Sequence, residues 1–199
     1  MKIVMKSKVV ALSAMLGISL FMVGCSKDEM PSTSNPAQSV DVLSRNAAPA
    51  PGTDPIAQIA IDAGFSELVA ALSYVDGELN TGFVDLFMNG TDQYTVFAPT
   101  NAAFQNLYTA LGVTQISDLP AELVRDVLLY HVVEGRRAAN SVVPRNGNRN
   151  ITTLLGAGFT VNNQGQITAV GNTANITSAN ISASNGIIHV IDAVILPIN

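Results

Sequence analysis

Thr95-Val96-Phe97-Ala98-Pro99-Thr100-Asn101-Ala102-Ala103-Phe104 and Asn185-Gly186-Ile187-Ile188-His189-Val190-Ile191-Asp192-Ala193-Val194-Ile195-Leu196-Pro197 decide how this chain folds. In the first block, aromatic and β-branched residues from Tyr94 to Ala98 read as a strand. Pro99 stops its ladder, and Thr100 is placed to cap a helix that starts at Asn101. Phe104, Leu107, Tyr108 and Leu111 supply the apolar face of that helix, and Gly112 ends it. The second block opens on an Asn-Gly turn signal and continues as a strand over Ile187–Leu196. Period-two alternation puts Ile187, His189 and Ile191 on one face and Ile188, Val190 and Asp192 on the other. Both blocks are packing signals, and neither has the pattern of a catalytic motif.

Between and before these blocks the pattern is helical. Asp54-Pro55 reads as an N-cap followed by Pro at the first helical position. Phe65, Leu68, Val69 and Leu72 predict a second helix to about Tyr74, broken by Asp76-Gly77. Phe83 to Met88 forms a short helix or turn, and Asp118-Leu119-Pro120 starts a further helix through Tyr130-His131. After Gly135 short strands are expected at Ala138–Val143, Ile151–Leu155, Phe159–Asn162, Gln166–Val170 and Ala174–Ile181. Helices first and strands later, with no glycine-rich phosphate loop, give an α+β class and exclude a βαβ nucleotide-binding fold.

The two blocks, with Leu128-Leu129-Tyr130-His131-Val132-Val133-Glu134-Gly135 between them, resemble a fasciclin-like (FAS1) domain over about Asp54 to Pro197. Thr152-Thr153-Leu154-Leu155-Gly156 falls where that family has its Thr-Leu-x-Gly stretch. The resemblance implies a wedge of β-strands packed against several α-helices. It also implies a surface module that binds matrix proteins, receptors or glycans without catalysis or a cofactor. Thr95, Phe97, Pro99, Thr100, Asn101, Phe104, Tyr130, His131, Asn185, Gly186, His189 and Asp192 then become its structural motif residues. Segment Gly77 to Asn89 departs from the family's compact form.

The residues themselves give the same weighting. His131 and His189 are the only histidines and lack a metal-ligand spacing, so both read as hydrogen-bonded structural groups. Ser184, His189 and Asp192 can be set out as a triad on paper, but no nucleophile elbow accompanies them. Asp192, if buried, needs a cation or backbone N–H groups, and Arg125 is one available partner. Phe97, Phe104 and Tyr130 read as core, whereas Tyr94 and Tyr108 are expected to be more exposed.

At the N-terminus, Lys2, Lys6 and Lys8 precede an uncharged apolar stretch from Val9 to Gly24, which is a secretory signal pattern. Met22-Val23-Gly24-Cys25 resembles a bacterial lipoprotein signal box, which implies lipid on Cys25, the only cysteine. Ser26-Lys27-Asp28-Glu29 resembles a surface-export signal of Bacteroidota lipoproteins; display on the periplasmic side is the alternative. Residues 25–53, rich in Pro, Ser, Asn and Ala, read as a flexible tether from the membrane. The division is thus 1–24 signal, 25–53 lipidated Cys and tether, and 54–199 one domain.

The chain carries a formal charge of −5, and loss of the signal lysines makes it more acidic while all 15 acids remain. Nucleic acid is therefore not an expected partner. Arg136, Arg137, Arg145 and Arg149 cluster where no acid occurs between Glu134 and Asp192. They are the candidate binding surface for an acidic glycan or protein; scattered solubilising charge is the alternative. The expected role is a surface-exposed, lipid-anchored outer-membrane adhesion or interaction module, with carbohydrate capture beside a nutrient transporter as the second reading.

Overall fold

The computed structural model describes residues 49–198, so the signal, Cys25 and most of the tether lie outside the described residues. Six α-helices and seven strands follow in the order α1 (Ile56–Asp62), α2 (Ser66–Leu79), α3 (Phe83–Asn89), β1 (Tyr94–Pro99), α4 (Asn101–Leu111), α5 (Ala121–Tyr130), β2 (Val132–Glu134), α6 (Ala139–Val142), β3 (Asn148–Thr152), β4 (Gly158–Asn162), β5 (Gln166–Thr168), β6 (Thr173–Ala183) and β7 (Gly186–Ile191). A short 3-10 turn at Ile116–Asp118 precedes α5. The class is α+β, as the order of signals predicts.

The two blocks that frame the sequence meet as neighbours. The sheet order is β2-β1-β7-β6-β5-β4-β3, with β1 parallel to β7 and every other pairing antiparallel. Phe97 sits opposite His189, and Val96 opposite Ile188. Alternation then divides the interior in two. Val96, Ala98, Val132 and Ile188 face the helices, where Leu68, Leu72, Phe87, Phe104 and Leu128 complete one core. Phe97, Val133 and Ile191 face the other way, against Phe159, Val161, Ile167 and Ile176 of the later strands.

That second core shows that the sheet is curled. In a flat sheet β1 and β4 are four strand spacings, roughly 19 Å, apart. The rings of Phe97 and Phe159 are 5.1 Å apart in a T-shaped contact, and Tyr130 packs edge-on to Phe159 at 5.8 Å. The bend falls in β6, whose register against β7 shifts on either side of Ser178 and which holds Asn180 at a φ of 64°. The curl carries the chain after β3 back to β2, where the Leu154 N–H donates to the Val132 carbonyl at 2.8 Å.

Four expectations are corrected. α1 begins at Ile56 with Pro55 in the N-cap position, so Asp54 does not cap it. α2 continues through Asp76-Gly77 to Leu79 and ends at Asn80 in the left-handed region. Ala138–Val143 holds the short helix α6 instead of a strand: the Ala139 N–H donates to the Asn180 side chain, and the Ser141, Val142 and Val143 N–H groups turn back to the Ala138 and Ala139 carbonyls. The last strand stops at Ile191; Asp192 onward turns away, with Val194 and Ile195 still buried.

Candidate functional site

The motif residues act as joints of the fold. Asn185, only 3% exposed, accepts from the Ile56 N–H at 2.8 Å and donates to the Phe87 carbonyl at 3.0 Å. One amide therefore caps the start of α1 and the end of α3 from across the sequence. Gly186 beside it is required by space: a Cβ there would lie 2.1 Å from the Tyr94 carbonyl oxygen and 2.7 Å from the Ile56 side chain. Thr100 caps its own helix, accepting from the Ala103 N–H at 3.2 Å. Asn101 reaches instead to α2, accepting from the Glu67 N–H at 3.2 Å and donating to the Gly64 carbonyl at 2.9 Å. Thr95, fully buried, donates to the Gly135 carbonyl at 2.6 Å and accepts from the Arg137 N–H at 2.8 Å. Pro99 pairs with Ile191 at the end of the parallel ladder.

Both histidines are buried with both ring nitrogens engaged. His131 bonds the Val127 carbonyl through Nδ1 at 2.6 Å and accepts from the Ile195 N–H on Nε2 at 3.0 Å. It thereby fixes the C-terminal segment against the end of α5. His189 bonds the Arg137 carbonyl through Nε2 at 2.9 Å and takes the Asn180 N–H on Nδ1 at 3.4 Å. In each ring one nitrogen must donate and the other accept, which is the neutral form. Burial pushes both imidazoles down to about 4, against the carbonyl bonds, which favour the charged form. These geometries leave neither ring a free nitrogen for a reacting group.

Asp192 is exposed and accepts from the Asn175 backbone N–H at 2.6 Å and its side-chain amide at 2.9 Å. Arg125, the available partner named above, pairs instead with Asp126 at 2.7 Å. Ser184, His189 and Asp192 are consequently not one constellation. Among the described residues no group of His, Cys, Asp and Glu is arranged to hold a metal ion. Tyr108 is buried, contrary to expectation, with its hydroxyl 2.8 Å from Glu67; burial and that carboxylate raise its pKa. Tyr94 is half-buried against Phe87.

The four arginines separate into different settings. Arg136 is half-buried and spends its guanidinium on the carbonyls of Ala183, Gly186, Pro49 and Ala50 and on the Ser182 hydroxyl. Instead of offering a free contact, it clamps the chain entering the domain to the β6–β7 turn. Arg137 donates from Nε to the Glu134 carbonyl at 3.3 Å. Arg149 reaches the carbonyls of Asn140 and Ser141 at the end of α6, which suits the negative end of a helix. Arg145 is exposed.

A surface that the sequence reading passed over lies on the outside of β3 to β6. Phe159, Val161, Ile167, Ala174 and Ile176 point inward, so the alternate residues point out. Those are Asn, Thr, Gln and one Gly. The signal was the alternation of polar and apolar residues over Asn150–Thr152, Gly158–Asn162, Gln166–Thr168 and Thr173–Thr177, legible once the strand bounds are fixed.

The Fasciclin domain family matches residues 63–197. The chain is 38% identical to the immunogenic protein MPB70 of Mycobacterium bovis over 72% of this chain and 69% of that one. It is 35% identical to the protein sll1483 of Synechocystis over 96% and 97% of the two chains. It is 35% identical to the cell surface glycolipoprotein MPB83 of Mycobacterium bovis over 72% and 61%. A solved FAS1 domain pair from the insect cell adhesion molecule fasciclin I aligns at a TM-score of 0.46 and 17% identity, over 66% of this chain and 45% of that one. With its two motif blocks paired side by side as β1 and β7 and the family match spanning residues 63–197, the chain belongs to the Fasciclin domain family.

Proposed function

We propose that this chain is a lipid-anchored protein of the cell envelope whose single FAS1 domain is a non-catalytic adhesion or interaction module for extracellular proteins or glycans. The family match over residues 63–197 carries this reading. Relatives described as immunogenic and as a cell surface glycolipoprotein support the surface location. The signal pattern supports acylation of Cys25, residues 25–53 supply the tether, and the outer membrane is the proposed site of display. Among the described residues no helix is long and apolar enough to cross a membrane.

For an acidic partner, Arg137, Arg145 and Arg149 are the proposed contacts, with Arg136 holding the loop that presents Arg137. The test compares cells bearing the whole protein with cells bearing only signal, Cys25 and tether. Attachment to a panel of matrix proteins, cells and glycans is expected to fall when the domain is removed. Equal attachment across the panel sinks the reading.

A further inference from the structure

From Asn150 to Ile191 the sequence holds no Asp, Glu, Lys or Arg. This stretch builds most of β3, all of β4, β5 and β6, whose outer face is open to solvent up to Thr177, and the buried β7. Strand register arranges that face in rows. Asn150 pairs with Thr160, Thr160 with Thr168, and Thr168 with Thr173. The next row runs from Asn148 to Asn162, and from Gln166 to Asn175, with Asn162 and Gln166 joined by their side-chain amides at 3.4 Å. Neighbours in a row are about 4.8 Å apart, and the rows lie roughly 6.7 Å apart. Arg149 is turned off this face toward α6, and Asp192 stands only at its margin, beside Asn175.

A water-exposed sheet face, above all at an edge strand such as β3, ordinarily carries charges that keep it soluble and unpaired. Here amides and hydroxyls replace them. No aromatic or aliphatic side chain stands in the rows, so a hydrophobic or stacked ligand has nothing to hold. An ionic ligand has no counter-charge. What the rows do offer is a repeating series of donors and acceptors spaced at about the length of one sugar unit in an extended chain. Cross-strand bonds hold some of them in place: Thr160 donates to the Asn150 side chain at 3.0 Å, and the Asn162 side chain accepts the Gln164 and Gln166 N–H groups. Groups held in advance lose less freedom on binding.

We infer that the outer face of β3–β6 is a docking surface for a neutral, hydroxyl-rich polysaccharide. This rests on the reading of the chain as an interaction module and names one class of its ligand. The surface is separate from the arginines, and its binding is insensitive to salt because no ion pair contributes.

The experiment uses the full lipid-anchored chain in mild detergent, with insoluble cellulose, amylose and mannan as neutral probes and immobilised heparin as the anionic one. Retention is measured at low and high salt for the native chain, for Thr168→Glu, and for Asn150→Ala with Gln166→Ala. Circular dichroism melts check that each variant is folded. At least one neutral polysaccharide should retain the native chain equally at both salt levels, and each variant should bind about tenfold more weakly. No retention on any neutral probe, or equal retention of folded variants, overturns the proposal. Binding only to heparin, lost in salt and in Arg145→Ser with Arg149→Ser, overturns it too but leaves the interaction module standing. If sedimentation shows the ligand-free chain self-associating and Thr168→Glu abolishing this, the face pairs copies of the chain and the proposal also falls.

Discussion

Single side chains in this protein hold elements that are far apart in sequence, so their loss is felt beyond their own contacts. Asn185→Ala strands the Ile56 N–H and the Phe87 carbonyl in a buried joint. A loss of about 2–3 kcal/mol is expected in urea unfolding; a change below about 0.5 kcal/mol would show that water replaces the amide. The histidines set the acid limit. An unfolded imidazole titrates near 6.5, whereas His131 and His189 are pushed down to about 4 in the fold. Above about pH 6.5 both states are neutral and the fold keeps its full stability. Between about 6.5 and 4 the unfolded chain takes up protons that the native chain refuses, so stability falls with pH. The slope is up to about 1.4 kcal/mol per pH unit for each histidine. Urea midpoints measured at about pH 7 and pH 5 should differ accordingly, and a folded His189→Gln variant should show a shallower dependence. Equal midpoints would mean that the rings are protonated in the native state.

At the scale of elements, local signals and tertiary capping divide the helices. Thr100 caps α4 from the adjacent position and was readable as such. The first N–H groups of α1, α2, α3 and α6 are instead met by Asn185, Asn101, Asp76 and Asn180 from elsewhere in the chain. Asp76 shows why the Asp-Gly pair misled. Its carboxylate points out of α2 to accept the Phe83 and Val84 N–H groups and the Thr81 hydroxyl, so it serves the next helix while its own continues. Burial would raise its pKa, but these bonds outweigh it and hold the carboxyl below its ordinary value. Gly77 is exposed, lies outside the left-handed region, and leaves open space where a Cβ would go. Gly77→Ala should therefore stabilise the domain by about 0.5–1 kcal/mol. A destabilised variant in the same urea assay would show that the helix bends there.

Across the whole molecule, Arg136 links the incoming chain to the sheet. Its bonds to Pro49, Ala50, Ser182, Ala183 and Gly186, with the Gly52 N–H donating to the Ala183 carbonyl, seat residues 49–52 beside the end of β6. Any pull along the tether would thus enter the domain at its sheet. Arg136→Ala should lower stability by about 2 kcal/mol and speed proteolysis near residues 49–53. Unchanged cleavage there would show that the backbone bond alone holds the segment.

The α+β class, the family motifs, the placement of most elements and the two-faced character of β7 are all legible in the amino-acid order. These follow from short-range periodicity, which depends on neighbours a few residues away. The curl of the sheet, the remote caps, the commitment of Arg136 and the pairing of Asp192 with Asn175 were decided only by the tertiary structure. Each depends on which carbonyls and N–H groups the fold brings within hydrogen-bond reach, and residues separated by tens of positions carry no mark of that in the sequence. The uncharged outer face lies between the two. Its composition is written in the alternation of Asn and Thr, but only strand register turns that alternation into rows.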